Sequence, residues 1–126
     1  MSIEAPMARK GSFMYAFSFL YPWPRSRDFG FDHLETVHAP MGVELGFTRF
    51  GVRPSAVWIE RFDGAEQKGP YAAIVHLLFA TEAERMRFRE FRTDAEAIGM
   101  LHADYQNYTD MPPDVRVSRW VLAEKT

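Results

Sequence analysis

Cysteine is absent from all 126 residues. Disulfides, thiol nucleophiles, thiolate zinc sites and iron–sulfur clusters are therefore excluded. A surplus of basic charge is also missing. Fifteen Lys and Arg face 17 Asp and Glu, for a formal net charge of −2, which gives no grip on nucleic acid phosphates. Arg85, Arg87, Arg89 and Arg92 are interleaved with Glu82, Glu84 and Glu90 and read as a solvated helix face. Long apolar runs are lacking too. None approaches the ~20 residues of a membrane span, and the first dozen residues have no signal-peptide core. These absences predict a cytoplasmic chain that binds neither membrane nor nucleic acid. The four histidines, at 33, 38, 76 and 102, include no pair four residues apart, and no zinc or facial-triad spacing occurs. No glycine-rich loop joins a strand to a helix, and no Ser or Thr sits in a nucleophile elbow. Neither a metal nor a cofactor is expected.

What the chain has is apolar mass, at 47% of residues, with 11 Phe among an aromatic 15%. That is ample for one core at this length and argues against disorder. Residues 1–11 read as a mobile tail, and residues 12–126 as a single domain. Phe13, Tyr15, Phe17, Phe19 and Tyr21 alternate with smaller residues, the period of a strand. Tyr21-Pro22-Trp23-Pro24 ends it. Asp32 to Gly46 reads as a helix, with Asp32 as cap, Glu35 completing a capping box, and Gly46 as the stop. At about 100° per residue, Leu34, Val37, His38, Met41 and Leu45 share one face. Pro40 should kink this helix and leave the Thr36 carbonyl without its donor.

Phe47 to Phe62 reads as a second strand region, interrupted near Arg53-Pro54 and firm over Ala56 to Phe62, with turn residues at Gly64 and Gly69-Pro70. Tyr71 to Ala80 is a near-continuous apolar run, expected as a central strand. Thr81 and Glu84 form a capping box opening a second helix, and Thr93-Asp94-Ala95-Glu96 predicts that it breaks and restarts. Val115 to Leu122 is the fourth strand. The order β-α-β-β-α-β is the ferredoxin-like arrangement, an α+β fold on a four-stranded antiparallel sheet. Two helices cover one sheet face only. The other is expected to pack against a second copy, making a homodimer and a shared α/β barrel.

Among side chains able to do chemistry, His38 leads. The wheel points its imidazole at the sheet, where it could act as general acid or base. A structural histidine bonded to a carbonyl or carboxylate is the competing reading, and both stay open. Asp32 reads as a cap before anything else. His33 is expected on the flank of the stripe, at solvent or an interface. His76 shares a strand face with Ile74 and Leu78 and could line a cavity or the dimer seam. His102 suits the negative end of its helix. Tyr108 could donate a hydrogen bond to a developing oxyanion, with Asn107 beside it. Asn107 and Asp110 could equally satisfy backbone donors in a tight loop. Tyr15, Phe17, Trp58, Phe88 and Phe91 could wall a planar substrate or serve as plain core.

Phe31-Asp32-His33-Leu34 with Val37-His38-Ala39-Pro40-Met41 resembles the first-helix signature of the EthD-like family of dimeric α/β barrels. Asp104-Tyr105-Gln106-Asn107-Tyr108-Thr109-Asp110, followed by Val115-Arg116-Val117-Ser118, resembles that family's last loop and strand. The resemblance spans about Phe13 to Leu122. His33-Leu34 departs from it, because the family usually carries another aromatic there. The resemblance implies the ferredoxin-like fold. It also implies small-molecule work in catabolism or secondary metabolism: isomerisation, dehydration or oxygenation of a planar hydrophobic compound, or an accessory role in an oxygenase system. Three functions follow. A cofactor-independent enzyme would use His38 and Tyr108 on a substrate held by Tyr15, Phe17, Trp58, His76, Phe88, Phe91 and Asn107. A non-catalytic protein would carry a small hydrophobic ligand. A haem protein would use His76 or His102.

Overall fold

The computed structural model describes residues 13–64 and 69–122, so the tail expected over residues 1–11 lies outside it. Four strands pair in the order β2-β3-β1-β4: β1 (Phe13–Pro22), β2 (Ala56–Arg61), β3 (Tyr71–Phe79) and β4 (Asp114–Val121). Every neighbouring pair is antiparallel. Long apolar β1 and β3 take the centre, and the shorter or more polar β2 and β4 form the edges. This is the ferredoxin-like order expected from the sequence.

Register assigns the faces. Phe17 pairs with Leu77 and Val117, and Phe19 with Val75 and Val115. These odd positions face the helices. The even positions Met14, Ala16, Ser18 and Leu20 form the second face with Leu78, His76 and Ile74, all of them buried. Trp58 and Trp120 belong to opposite edge strands, yet their rings meet at 5.7 Å. Trp120 lies 4.9 Å from the His76 ring, so the two indoles lean inward across the sheet.

The helical layer holds α1 (Phe31–His33), a π-helical turn over Leu34–His38, α2 (Ala39–Phe50), α3 (Glu82–Arg89), a 3₁₀ turn over Glu90–Thr93 and α4 (Ala95–Tyr105). The capping box at Thr81 is complete: its hydroxyl accepts from the Glu84 amide and the Glu84 carboxylate accepts from the Thr81 amide. The break at residue 94 is present as well, where the Asp94 side chain caps α4 by accepting from the Ala97 amide at 3.0 Å.

The first helix differs from its sequence reading in three ways. Gly30, not Asp32, is the cap, and the Asp32 side chain is 96% exposed. The helix runs through Gly46 and takes in Phe47 to Phe50, which the sequence assigned to the second strand region, and it stops at Gly51, whose φ of 71° is the left-handed conformation open to glycine. Gly46 instead lets the Phe88 ring approach, because a β-carbon there would lie 2.2 Å from a ring carbon. Third, the helix takes a wide turn where a kink was expected. Pro40 has no amide hydrogen to give, and the Ala39 amide reaches back to the Leu34 carbonyl. A π turn rotates less per residue than an α turn. Inward positions therefore fall at Leu34, His38, Gly42 and Gly46, while Val37 is 44% exposed.

Candidate functional site

A cavity of about 330 Å³ lies between the helices and the sheet. Phe17, Phe19, Val75 and Leu77 supply its floor, Leu34, His38, Ala39, Gly42 and Val43 one wall, and Phe88, Phe91, Ile98 and Leu101 the other. Tyr21, Arg92, His102, Tyr105, Pro113 and Val115 complete it. Its size suits a small organic molecule, and its lining is the common mixture of an apolar wall with few polar groups.

His38 is the polar centre. The π turn carries it inward, leaving it 6% exposed. Its Nδ1 donates to Asp104 Oδ2 at 2.9 Å. Asp104, on the last turn of α4, also accepts from His33 Nε2 at 2.9 Å and from Asn107 Nδ2 at 2.9 Å. One carboxylate thus gathers three donors from two chain segments. Burial alone would raise the Asp104 pKa, but the hydrogen bonds from Asn107, His38 and His33 outweigh it and hold the carboxyl below its ordinary value. For His38, burial is the largest effect and lowers the pKa despite the opposing pull of Asp104. At neutral pH the imidazole is therefore uncharged, and Asp104 fixes the proton on Nδ1. Nε2 then presents a lone pair. It has no partner among the described residues, and no buried side-chain nitrogen or oxygen among them lacks one. Nε2 is therefore not sealed off among side chains, and the His38 residue borders the cavity.

The loop after α4 locks this arrangement. The Gly30 amide donates to the Tyr108 carbonyl at 2.8 Å, and a β-carbon on Gly30 would come within 2.9 Å of Tyr108. The Asp110 carboxylate accepts from the Arg25 and Ser26 amides at 2.8 Å each. Its partners are backbone donors, as in the simpler sequence reading, but they belong to the segment before α1.

The residues singled out in the sequence divide by position. His38, Phe17, Phe88 and Phe91 line the cavity. Tyr108 is fully buried behind it, with its ring 4.7 Å from that of His38. Its hydroxyl donates to the Tyr21 hydroxyl at 3.1 Å, and burial raises the pKa of both phenols. Tyr108 therefore packs the imidazole, while Tyr21 and Tyr105 present their surfaces to the cavity. Asn107 orients Asp104 from outside. Tyr15 lies on the helix side under the Arg85 guanidinium, 5.4 Å away, and is not part of the lining.

Trp58 and His76 occupy the opposite face of the sheet. There Ser18 Oγ lies 2.7 Å from His76 Nδ1, and His76 Nε2 lies 2.5 Å from Glu60 Oε1. Both ring nitrogens are engaged, so of the two histidines considered for haem only His102 borders the cavity. His33, expected at solvent or an interface, instead stacks on Tyr108 at 5.7 Å and bonds Asp104. Sequence reasoning gave Asp104, Arg92 and Tyr105 no place at the site: Arg92 reads there as part of a solvated helix face, and Asp104 and Tyr105 only as part of the last-loop motif. The available signal was the Asp104–Asn107 spacing, which puts both on one side of a helix end. Among the described residues, no group of three or more His, Cys, Asp or Glu side chains is placed to hold a metal ion, and no helix is long and apolar enough to cross a membrane.

No family model matches the sequence, and no curated protein does. Among solved structures the chain is similar to an EthD-like protein from Ralstonia eutropha JMP134. The identity is 20%, the TM-score 0.57, and the match covers 87% of this chain and 92% of that one. That likeness extends to the fold: the fold of this chain is that of an EthD-like protein.

Proposed function

We propose that the chain binds a planar, oxygenated hydrophobic compound in the cavity and moves a proton on it with His38. The observation that carries this reading is the His38–Asp104 pair, with Nδ1 held, Nε2 without a partner among the described residues and the residue lining a largely apolar cavity. A neutral imidazole in that setting is a general base, and once protonated it becomes the matching acid. Abstraction from a carbon beside a carbonyl, then return to a different atom, gives enolisation or isomerisation; return to a departing hydroxyl gives dehydration. Such steps need no cofactor. Tyr105 and Tyr21 offer ring surface against which a flat substrate can lie.

Occupancy of the cavity is testable without knowing the natural ligand. A β-carbon on Gly42 would meet only Leu101, at 3.8 Å, so Gly42→Leu is expected to keep the fold and fill the hollow. Calorimetric titration with a bicyclic aromatic probe should show binding to the parent and at least a tenfold loss in the variant, on the scale of an overfilled site. Equal affinity would remove the ligand from this cavity.

The same pocket supports a carrier reading, in which the His38–Asp104 pair anchors a ligand hydroxyl without chemistry. Retention of an unchanged ligand over many hours separates that reading from catalysis. We further propose that the second sheet face pairs with another copy, supported by Trp58, which is 52% exposed on that face. Sedimentation should then give twice the 14.6 kDa chain mass; a lone-chain mass at micromolar concentration would reject the pairing.

A further inference from the structure

Among the described residues the cavity lining contains no Asp or Glu, and Arg92 is its one permanent charge. An arginine beside a cavity is unremarkable if a neighbouring carboxylate neutralises it, but here each nearby carboxylate is taken. Glu90 accepts from Arg87 at 2.6 Å, while Asp94 and Glu96 accept from Arg49 at 3.0 and 2.8 Å. Arg92 has no ion pair or hydrogen bond among the described residues. The 3₁₀ turn over Glu90–Thr93 brings Phe91 and Arg92, consecutive in the chain, to the same cavity. A planar guanidinium beside an aromatic wall suits a flat acid, because its fork matches a carboxylate with two parallel hydrogen bonds.

We infer that the ligand is an anion, an aromatic or alicyclic carboxylate whose charged group rests on Arg92 while its ring body lies on Phe88 and Phe91. The inference rests on the cavity being the ligand site and adds the class of compound it selects. Arg92 is exposed, so solvent screens the pair. The expected gain is roughly two- to fivefold in affinity, the upper range for a rim ion pair. His102, also on the lining, adds a further polar group that is not acidic.

Two near-isosteric probes test this: 2-naphthoate, which is charged, and 2-naphthamide, which is not. The parent protein should bind naphthoate more tightly, and 0.5 M NaCl should narrow the gap. Arg92→Gln should weaken naphthoate by roughly two- to fivefold and leave naphthamide unchanged, and Gly42→Leu should reject both. Equal affinity of the parent for the two probes, or an Arg92→Gln loss that is nil or equal for both, overturns the anion assignment alone. Failure of the parent to bind either probe overturns the cavity reading and this inference with it.

Discussion

Replacing His38 with Gln is expected to lower turnover by roughly 10²- to 10⁴-fold, the range a positioned acid–base group contributes, while ligand affinity changes little. Glutamine keeps much of the side-chain volume and can still donate to Asp104, but it has no lone pair of comparable basicity to aim into the cavity. Until a natural substrate is known, the reaction can be read as deuterium uptake from D₂O at the acidic carbon of 2-tetralone, followed by proton NMR. Parent protein should accelerate the exchange and the variant should not. Exchange that persists at the parent rate would move the chemistry away from His38. The acid limb of the parent rate profile should fall below pH 6.5, because burial disfavours the imidazolium in the folded protein.

Asp104→Asn should be damaging in two separable ways. The carboxylate accepts from His33, His38 and Asn107 at once. An amide presents one oxygen and one NH₂, so at least one of those donors would face another donor. Stability should fall by about 1–3 kcal/mol, the cost of an unmatched group in a largely buried site. Exchange should slow by roughly 10²-fold, since Nδ1 no longer has an anion to hold its proton. The pH dependence gives a further check. The Asp104 carboxyl is held below its ordinary 3.8 in the folded chain, so its contribution to stability is full above that value and is lost as the pH drops through the folded pKa. His38, whose folded pKa is below 6.5, takes up its proton more readily in the unfolded chain. Its effect therefore also erodes stability on acidification, beginning near pH 6.5. The variant should lose the first of these two contributions. A denaturation midpoint identical to the parent's at pH 7 would show that the three donors find other partners.

The strands and the second helical segment are readable in the sequence because local signals determine them. Alternating aromatics set β1, the apolar run sets β3, and the caps at Thr81 and Asp94 mark where α3 and α4 begin. The phase of the first helix is not readable from a uniform wheel. Pro40 leads the chain to relieve a missing hydrogen bond with a wide turn, and that turn moves Val37 outward while His38 and Gly42 stay inward. The partnership of Asp104, a residue of the quoted last-loop motif, is unreadable for a different reason. Its tie to His38 joins residues 66 positions apart, and no local pattern encodes it. The faces of the sheet are a third case. Trp58 and His76 sit in strands whose period is plain, but only the strand order and the side taken by the helices separate them from Phe17.

The widened turn ahead of Pro40 is in effect a one-residue insertion that the helix absorbs without breaking. Its loss through a three-nucleotide deletion would leave composition and apolar content almost untouched, yet would swing α1 by about 100° relative to α2. The three-way clasp on Asp104 would then come apart. In this architecture an imidazole at the cavity wall can therefore be gained or lost through a change of length, and a comparison that scores only which residue types are matched would overlook it.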